Sequence, residues 1–543
     1  MPETAKRPER HSGAHAASAR RAPRRRPRGE LIAWGVLIAL ALGLRLYDLG
    51  ARPFHHDESQ DAYFSWILQQ DGDYKYDPLL HGPLRFYLTA AIYTIFGASD
   101  FTARLAPALM GTSMVALMYP LRRQLGRVAA YAAAVFLAIG PSYLYFSRFA
   151  REDIYIAAIT LAMLVVTFRF FDAPRRWHPA AFGALLAASF ATKESTFITI
   201  FVAGSFFLVA TGWQWRRAGS LREAPIVRRL LEVGWEPHAW GAAAFLAVYT
   251  LTFTTFLTHP SGIYGLWTGL DYWLGQHGVG RGGESDVFYS VVLFGHEWPM
   301  IALGIVGAVV AFRRPTLLRL FLVWAFVLSL LVYSWAGEKF AWLVLHPLLP
   351  LILLAGVGLQ EIWASRRTLP GKIAIGAAAL ALAYTVYASA LVNAVHPADP
   401  REFLVSTQSS TEVADQAREV VDLAERRGGK LKVLVDSAEG ATFPWAWYFR
   451  DLDVGYLDLS TAGEPPVDSD VIVLTQASNT RLGPTLTGYD GKEIPFRVWW
   501  VRDYGKALEP GAWWKWMTAR KPWNPTGGMP EWIYKRRVVT GGG

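Results

Sequence analysis

The sequence predicts a mostly α-helical, polytopic membrane bundle of about eleven spans, with a small α/β domain at its C-terminal end. Three observations lead there. Of 543 residues, 52% are hydrophobic and 23 are Trp. The apolar residues gather in blocks long enough to cross a bilayer. That pattern stops near Asn393, after which helix-like and strand-like stretches follow one another. The net charge of +10 sits largely in the N-terminal tail and in short links between blocks, which fits membrane topology rather than a nucleic-acid partner. With no Cys in the chain, disulfides, thiol catalysis and Cys-ligated metal are excluded.

Residues 1–29 hold nine Lys and Arg among Ala, Pro, Ser and His, the composition of a disordered basic cytoplasmic tail. A membrane domain over 30–393 follows. Its first span runs from Leu31 to about Leu49, and no small-residue cleavage site follows it. Further blocks lie at about 101–121, 128–146, 154–171, 179–192, 195–212, 239–257, 290–312, 317–335, 341–360 and 372–393. The block at 179–192 is short for a crossing, and 82–97 is ambiguous. If 82–97 lies along the outer surface, the pairs Arg122-Arg123, Arg175-Arg176, Arg216-Arg217, Arg313-Arg314 and Arg366-Arg367 all become cytoplasmic, as the positive-inside rule requires. Residues 394–543 read as an extracytoplasmic α/β domain, with a helix at Thr411 to Arg427 and strands at Leu431 to Val435 and Val471 to Thr475. The segment Trp513-Trp514-Lys515-Trp516 also suits the lipid headgroup layer.

This topology collects the mixed-charge clusters on the outer face: His55 to Asp61 in the first outer loop (51–99), Arg148 to Asp153, Lys193-Glu194, His296-Glu297 and Glu338-Lys339. Carboxylates beside imidazoles are costly near a bilayer unless they have a task or ample water. They suit a general base that deprotonates a hydroxyl, while nearby cations suit a phosphate carried on a lipid. Arg148 and Arg151 are spaced to share a face on a helical turn. The blander readings stay open: Asp57 as the cap of a solvated helix with Glu58 in its first turn, and the arginines as partners of Glu152, Asp153 or headgroups. A divalent metal is the one cofactor left open, with His56, Glu58 and Glu152 as candidate ligands; Glu152, His259 or His296 would have to join the His55 to Glu58 run.

An Asp-Glu pair in the first outer loop is followed by Tyr76 to Leu84, then Phe101 to Leu105, then Ser147 to Asp153. This order resembles the GT-C class of membrane glycosyltransferases, within it the protein-mannosyltransferase and aminoarabinose-transferase superfamily. More narrowly, Pro53 to Ser59, Ala191 to Ser195, Glu338 to Trp342 with His346-Pro347, and Pro444 to Asp451 resemble the flippase-activity-associated proteins. The resemblance implies inverting transfer of a sugar from a polyprenyl-phosphate donor to an extracytoplasmic glycan, lipid or protein. By the same likeness, Asp57 matches the general base, Glu58 would orient it or bind sugar hydroxyls, and Asp153 matches the second acidic position. Arg148, Arg151, Lys193, Lys339 and His346, with His81 and Arg85, would form the donor-phosphate and substrate side. His81-Gly82-Pro83-Leu84 departs from the mannosyltransferases' His-Pro-Pro-Leu run, so their acceptor does not carry over.

Two other classes compete. A transporter or flippase for lipid-linked saccharides would place its charges near the bilayer midplane and often show two similar halves. An assembly factor would leave the acids of the first loop unexplained. The Gly-rich loop from Gly275 to Gly283, with His277, reads as a mobile cover.

Overall fold

The structure is a computed structural model that describes residues 28–276, 280, 282–461 and 468–537. All but the last two residues of the basic tail, and His277 in the Gly-rich loop, lie outside the described residues.

Every apolar block expected to span coincides with helix, and among the described residues seven helices can cross a membrane by length and composition: Arg28–Leu46, Asp153–Asp172, Thr196–Ala218, Phe288–Arg313, Leu317–Trp335, Ala341–Ala364 and Leu369–Val395. The remaining helices are more polar or shorter. His178–Phe190 and Leu84–Phe96 have 13 residues each, about 20 Å at 1.5 Å per residue, against a hydrocarbon core of about 30 Å. This is a multi-pass membrane protein of mostly helical build.

Small residues set how closely its central helices approach. A Cβ on Gly307 would lie 2.0 Å from the Leu354 carbonyl oxygen, and one on Gly358 would lie 2.1 Å from that of Leu303. The Phe288–Arg313 and Leu345–Ala364 helices therefore touch backbone to backbone, as small-residue interfaces allow in membranes. Gly356 brings the latter equally close to Ala129 of the Arg127–Ile139 helix.

The C-terminal part contains a six-stranded mixed sheet. Its strands are β1 (Gln408–Ser409), β2 (Lys432–Asp436), β3 (Asp453–Leu457), β4 (Val471–Thr475), β5 (Tyr489–Trp499) and β6 (Gly527–Arg536), in the order β1-β5-β6-β4-β2-β3. Only the β2–β3 and β2–β4 pairs are parallel. The Thr411–Arg426 helix buries Val413, Ala417 and Val420 against Val433, Val435, Val471 and Ile533 on one face, while Leu434, Ile472, Leu474 and Leu482 pack on the other. The sequence pattern shows β2 and β4 because both are short β-branched runs; β5 and β6 are polar on alternate positions and carry Pro and Gly, which hides them.

The chain flanking the sheet returns to the bundle. Phe403 stacks on Trp516 at 3.8 Å between ring centroids, both buried in the bundle's apolar core. Of the tryptophans at 513, 514 and 516, only Trp514 is freely exposed, so most of that aromatic surface serves docking.

Candidate active site

At one end of the bundle the first span ends and the chain crosses residues 51–55 without secondary structure before entering the His56–Asp71 helix. The helix is capped by His55, not by Asp57: the His55 Nδ1 accepts the Asp57 backbone N–H at 3.0 Å, and the Glu58 carboxylate accepts the His55 N–H at 3.1 Å. This is a capping box with imidazole in the usual hydroxyl's place. The His55 Nε2 donates to the Ser406 carbonyl at 2.8 Å, so the ring is neutral with its proton on Nε2. Burial keeps it so, lowering its pKa from 6.5 to about 4. A depressed histidine pKa means that the cap's contribution is whole above pH 6.5 and is lost as pH falls toward about 4. The unfolding temperature of the purified protein is expected to drop across that window. His55→Asn, which caps without titrating, is expected to flatten the drop.

Glu58 is fully buried. Its carboxylate accepts from Arg104 Nε at 2.8 Å, Arg52 at 3.1 Å and the Ala150 N–H at 2.9 Å. Burial alone would raise its pKa, but Arg104 and Arg52 outweigh that and hold it at about 2. Arg104 also donates to the Arg52 carbonyl at 2.8 Å. With every lone-pair direction used, Glu58 is a clamp that fixes three chain segments; it has no oxygen free for sugar hydroxyls or metal. Sequence reasoning names Arg104 only as part of Phe101 to Leu105 and does not single out Arg52; a clamp partner 46 residues away, and another across the loop's turn, leave no pattern that shows the pairing.

Asp57 points away from this clamp and its side chain is 21% exposed, enough to be reached. Arg151 lies 3.1 Å from its Oδ2. Burial raises its pKa, but Arg151, then His55 and His56, bring it down to about 2, so the carboxylate is ionised at neutral pH. A continuous network extends from there. Arg151 pairs with Glu152 at 3.0 Å, Lys193 pairs with Glu152 at 2.9 Å and with Asp153 at 3.1 Å, and His346 Nε2 lies 3.3 Å from Asp153. His81 joins it, with Nδ1 at 2.7 Å from Glu194 and Nε2 at 3.5 Å from Glu152. Lys193 is held charged: burial opposes its proton, but Asp153 and Glu152 outweigh burial and raise its pKa. Asp57, Asp153, Arg151, Lys193, His81 and His346 thus come together from five separate stretches.

Three expected cations do not join them. Arg148 and Arg151 point to different places, because the helix ends at Phe146 and the chain turns through 147–152, so a spacing of three no longer aligns side chains. Arg148 instead donates to the carbonyls of Tyr47 at 2.7 Å, Asp48 at 3.1 Å and Asn393 at 3.0 Å. Arg85 is buried against Asp61, at 2.6 Å from Oδ2 and 2.8 Å from Oδ1. Lys339 pairs with Asp286 at 3.3 Å and with the Ala336 carbonyl.

The candidate metal ligands do not converge either. His56 faces Arg497 and Gln60, Glu58 faces two arginines, and Glu152 faces Arg151 and Lys193. Guanidinium and ammonium groups hold the positions that a divalent cation would need, and among the described residues no group of three or more His, Asp or Glu is placed to ligate one.

Beside the network runs an apolar cavity of about 1230 Å³, walled by residues from the helices 153–172, 178–190, 196–218, 235–253, 317–335 and 345–364. One end is formed by Tyr333 and His346, whose rings stack at 4.8 Å and whose imidazole contacts Asp153. At the other lie Ile226, Leu230 and His238. A mostly apolar slot that reaches the ionisable network through His346 fits a lipid with a polar head.

A family model for dolichyl-phosphate-mannose-protein mannosyltransferases matches residues 80–223. Among solved structures, the chain is similar to ArnT from Cupriavidus metallidurans bound to undecaprenyl phosphate, at a TM-score of 0.62 and 16% identity over 95% of this chain and 100% of that one. It is also similar to the oligosaccharyltransferase AglB from Archaeoglobus fulgidus, in complex with an inhibitory peptide and a dolichol-phosphate, at a TM-score of 0.52 and 12% identity over 85% of this chain and 72% of that one. No curated protein matches. The chain thus has the fold of these two solved membrane proteins, and residues 80–223 are similar to the mannosyltransferase family.

Proposed function

We propose that this protein is an inverting glycosyltransferase that takes a sugar from a polyprenyl-phosphate donor and passes it to an acceptor outside the cytoplasm. The observation that carries the reading is the apolar cavity ending on His346, which contacts the network containing Asp57. The donor's prenyl chain would lie in the cavity, with its phosphate beside His346, Lys193 and Arg151. The orientation rests on the five Arg pairs. Each lies at or beyond the end of a helix whose other end is at the site, so the positive-inside rule puts the site and the 394–543 domain outside and the tail of 1–29 inside.

In the reaction, an acceptor oxygen forms a bond to the sugar's anomeric carbon as the bond from that carbon to the phosphate oxygen breaks. The acceptor's proton passes to Asp57, and the bonding electrons leave with the phosphate. Arg151 couples the two events. In the free protein it is the strongest influence lowering the Asp57 pKa. A phosphate that draws Arg151 away therefore strengthens the base when the donor is present. Lys193 would stabilise the charge that grows on the departing phosphate. Asp153 and Glu152 hold Lys193 in place, and His81 stands between Glu152 and Glu194 at the mouth.

The reading is tested by mass spectrometry of extracellular glycans and lipid-linked sugars in cells lacking the gene. Loss of a single sugar, restored by the wild-type chain, is expected; an intact oligosaccharide accumulating on the inner leaflet would overturn the reading in favour of transport. Gly204 lines the cavity, with no atom within 4 Å of where its Cβ would stand. Gly204→Phe is therefore expected to fold, occupy the cavity and fail to restore the sugar.

A further inference from the structure

The four residues leading into Asp57 are each held by the C-terminal part of the chain. Gln408 Nε2 donates to the Pro53 carbonyl at 2.9 Å, and the Phe54 N–H donates to the Tyr448 hydroxyl at 3.0 Å. The His55 Nε2 donates to the Ser406 carbonyl at 2.8 Å, and Arg497 donates to His56 Nδ1 at 2.8 Å. Arg497 follows a register shift in β5, between Pro495 and Arg497, which aims its side chain out of the ladder toward the site. The same guanidinium nitrogen meets the carbonyls of Gly440 at 2.7 Å and Phe443 at 3.2 Å, tying the loop after β2 to the same point. Phe54 is fully buried, edge-on to Trp447 at 5.4 Å, and Trp447 donates to Asp100 at 2.8 Å.

Residues 51–55 have no regular structure of their own, so their backbone groups need outside partners: Arg104 and Glu58 serve the Arg52 carbonyl and the His55 N–H, while the Pro53 carbonyl and the Phe54 N–H are met by residues 355 and 394 positions later. The partners form a chain of action. The Ser406 carbonyl sets the His55 tautomer, the tautomer leaves Nδ1 free to accept the Asp57 N–H, and that bond starts the helix on which Asp57 sits. We infer that the C-terminal sheet unit is the mould for the catalytic base: Ser406, Gln408, Tyr448 and Arg497 are positioning residues that place Asp57 through the 53–56 segment. This rests on the reading of Asp57 as the base. None of the four contacts the Arg151, Lys193 and His346 side of the site, so the role predicts a split between turnover and donor binding.

The test uses the full-length chain in deletion cells, scoring the missing sugar, and titrates the purified variants with undecaprenyl phosphate as the binding probe. Tyr448→Phe, Gln408→Ala and Arg497→Gln are each expected to lower product formation about fivefold or more, since a misplacement of 1 Å costs up to about a hundredfold. Undecaprenyl phosphate binding is expected to stay within about twofold of wild type. The double variant Tyr448→Phe with Arg497→Gln is expected to lose less than the product of the single losses, because both act through one segment. A purely structural role would instead weaken product formation and lipid binding together, in step with the amount of folded protein, and would overturn the inference. Asp57→Asn in the same cells separates the two levels. Product retained there removes the base reading and this inference with it; product lost there but kept within about twofold in all three single variants removes the inference alone.

Discussion

Asp57→Asn is expected to cut sugar transfer by about a hundredfold to ten-thousandfold, the range that general-base removal spans. The variant is also expected to accumulate in the membrane as the wild type does. The carboxylate is reachable, ionised and held by one arginine, and it bears no part of the fold: the cap is His55 and the clamp is Glu58. Asparagine keeps the shape and the contact with Arg151 but cannot take a proton. Transfer measured in deletion cells is the check, with insertion confirmed by protease accessibility of the C-terminal domain. Turnover near the wild-type rate would mean that another group, Glu152 or Asp153, accepts the proton.

Glu58→Ala is expected to have the opposite profile, a loss of the protein rather than of its chemistry. The change leaves Arg104 buried without a carboxylate, together with Arg52 and an unmatched Ala150 N–H. Breaking a buried pair by removing one partner costs about 3–5 kcal/mol, enough to deplete a marginally stable fold. The check is thermal unfolding of detergent-purified protein alongside its yield. Wild-type stability in this variant would show that the Glu58 clamp is dispensable. Neighbouring carboxylates thus separate cleanly by experiment: one change spares the fold and stops turnover, the other removes the fold.

The apolar blocks were legible because a hydrocarbon core demands long uninterrupted runs, and each run is helical in the structure. The meeting of Asp57, Asp153 and Lys193 was legible through topology, since loops on one face of a bundle share a small area; His346 was legible only through the family resemblance. Partner assignment was not. Arg148 and Arg151 look interchangeable in sequence, yet the turn after Phe146 sends one to the carbonyls of Tyr47 and Asp48 and the other to Asp57. Arg85 reads as a surface cation until Asp61, 24 residues away, is seen to take one edge of its guanidinium with both carboxylate oxygens. Tyr448 falls inside the Pro444 to Asp451 motif and Arg497 in none, yet nothing local in either stretch shows the distant 53–56 segment that they meet.

The contacts among the central glycines have a further consequence. Gly307 and Gly358 lock the Phe288–Arg313 helix to Leu345–Ala364 backbone to backbone, whereas the Thr196–Ala218 helix carries Gly204 and Gly212 with nothing near them and meets the Leu317–Trp335 helix through side chains such as Trp324 on Ser205, at 3.1 Å. The slot between them thus has one welded jaw and one yielding jaw. On the proposed reading, a guest entering sideways from the bilayer would spread the yielding jaw and leave the mounting of the carboxylate undisturbed.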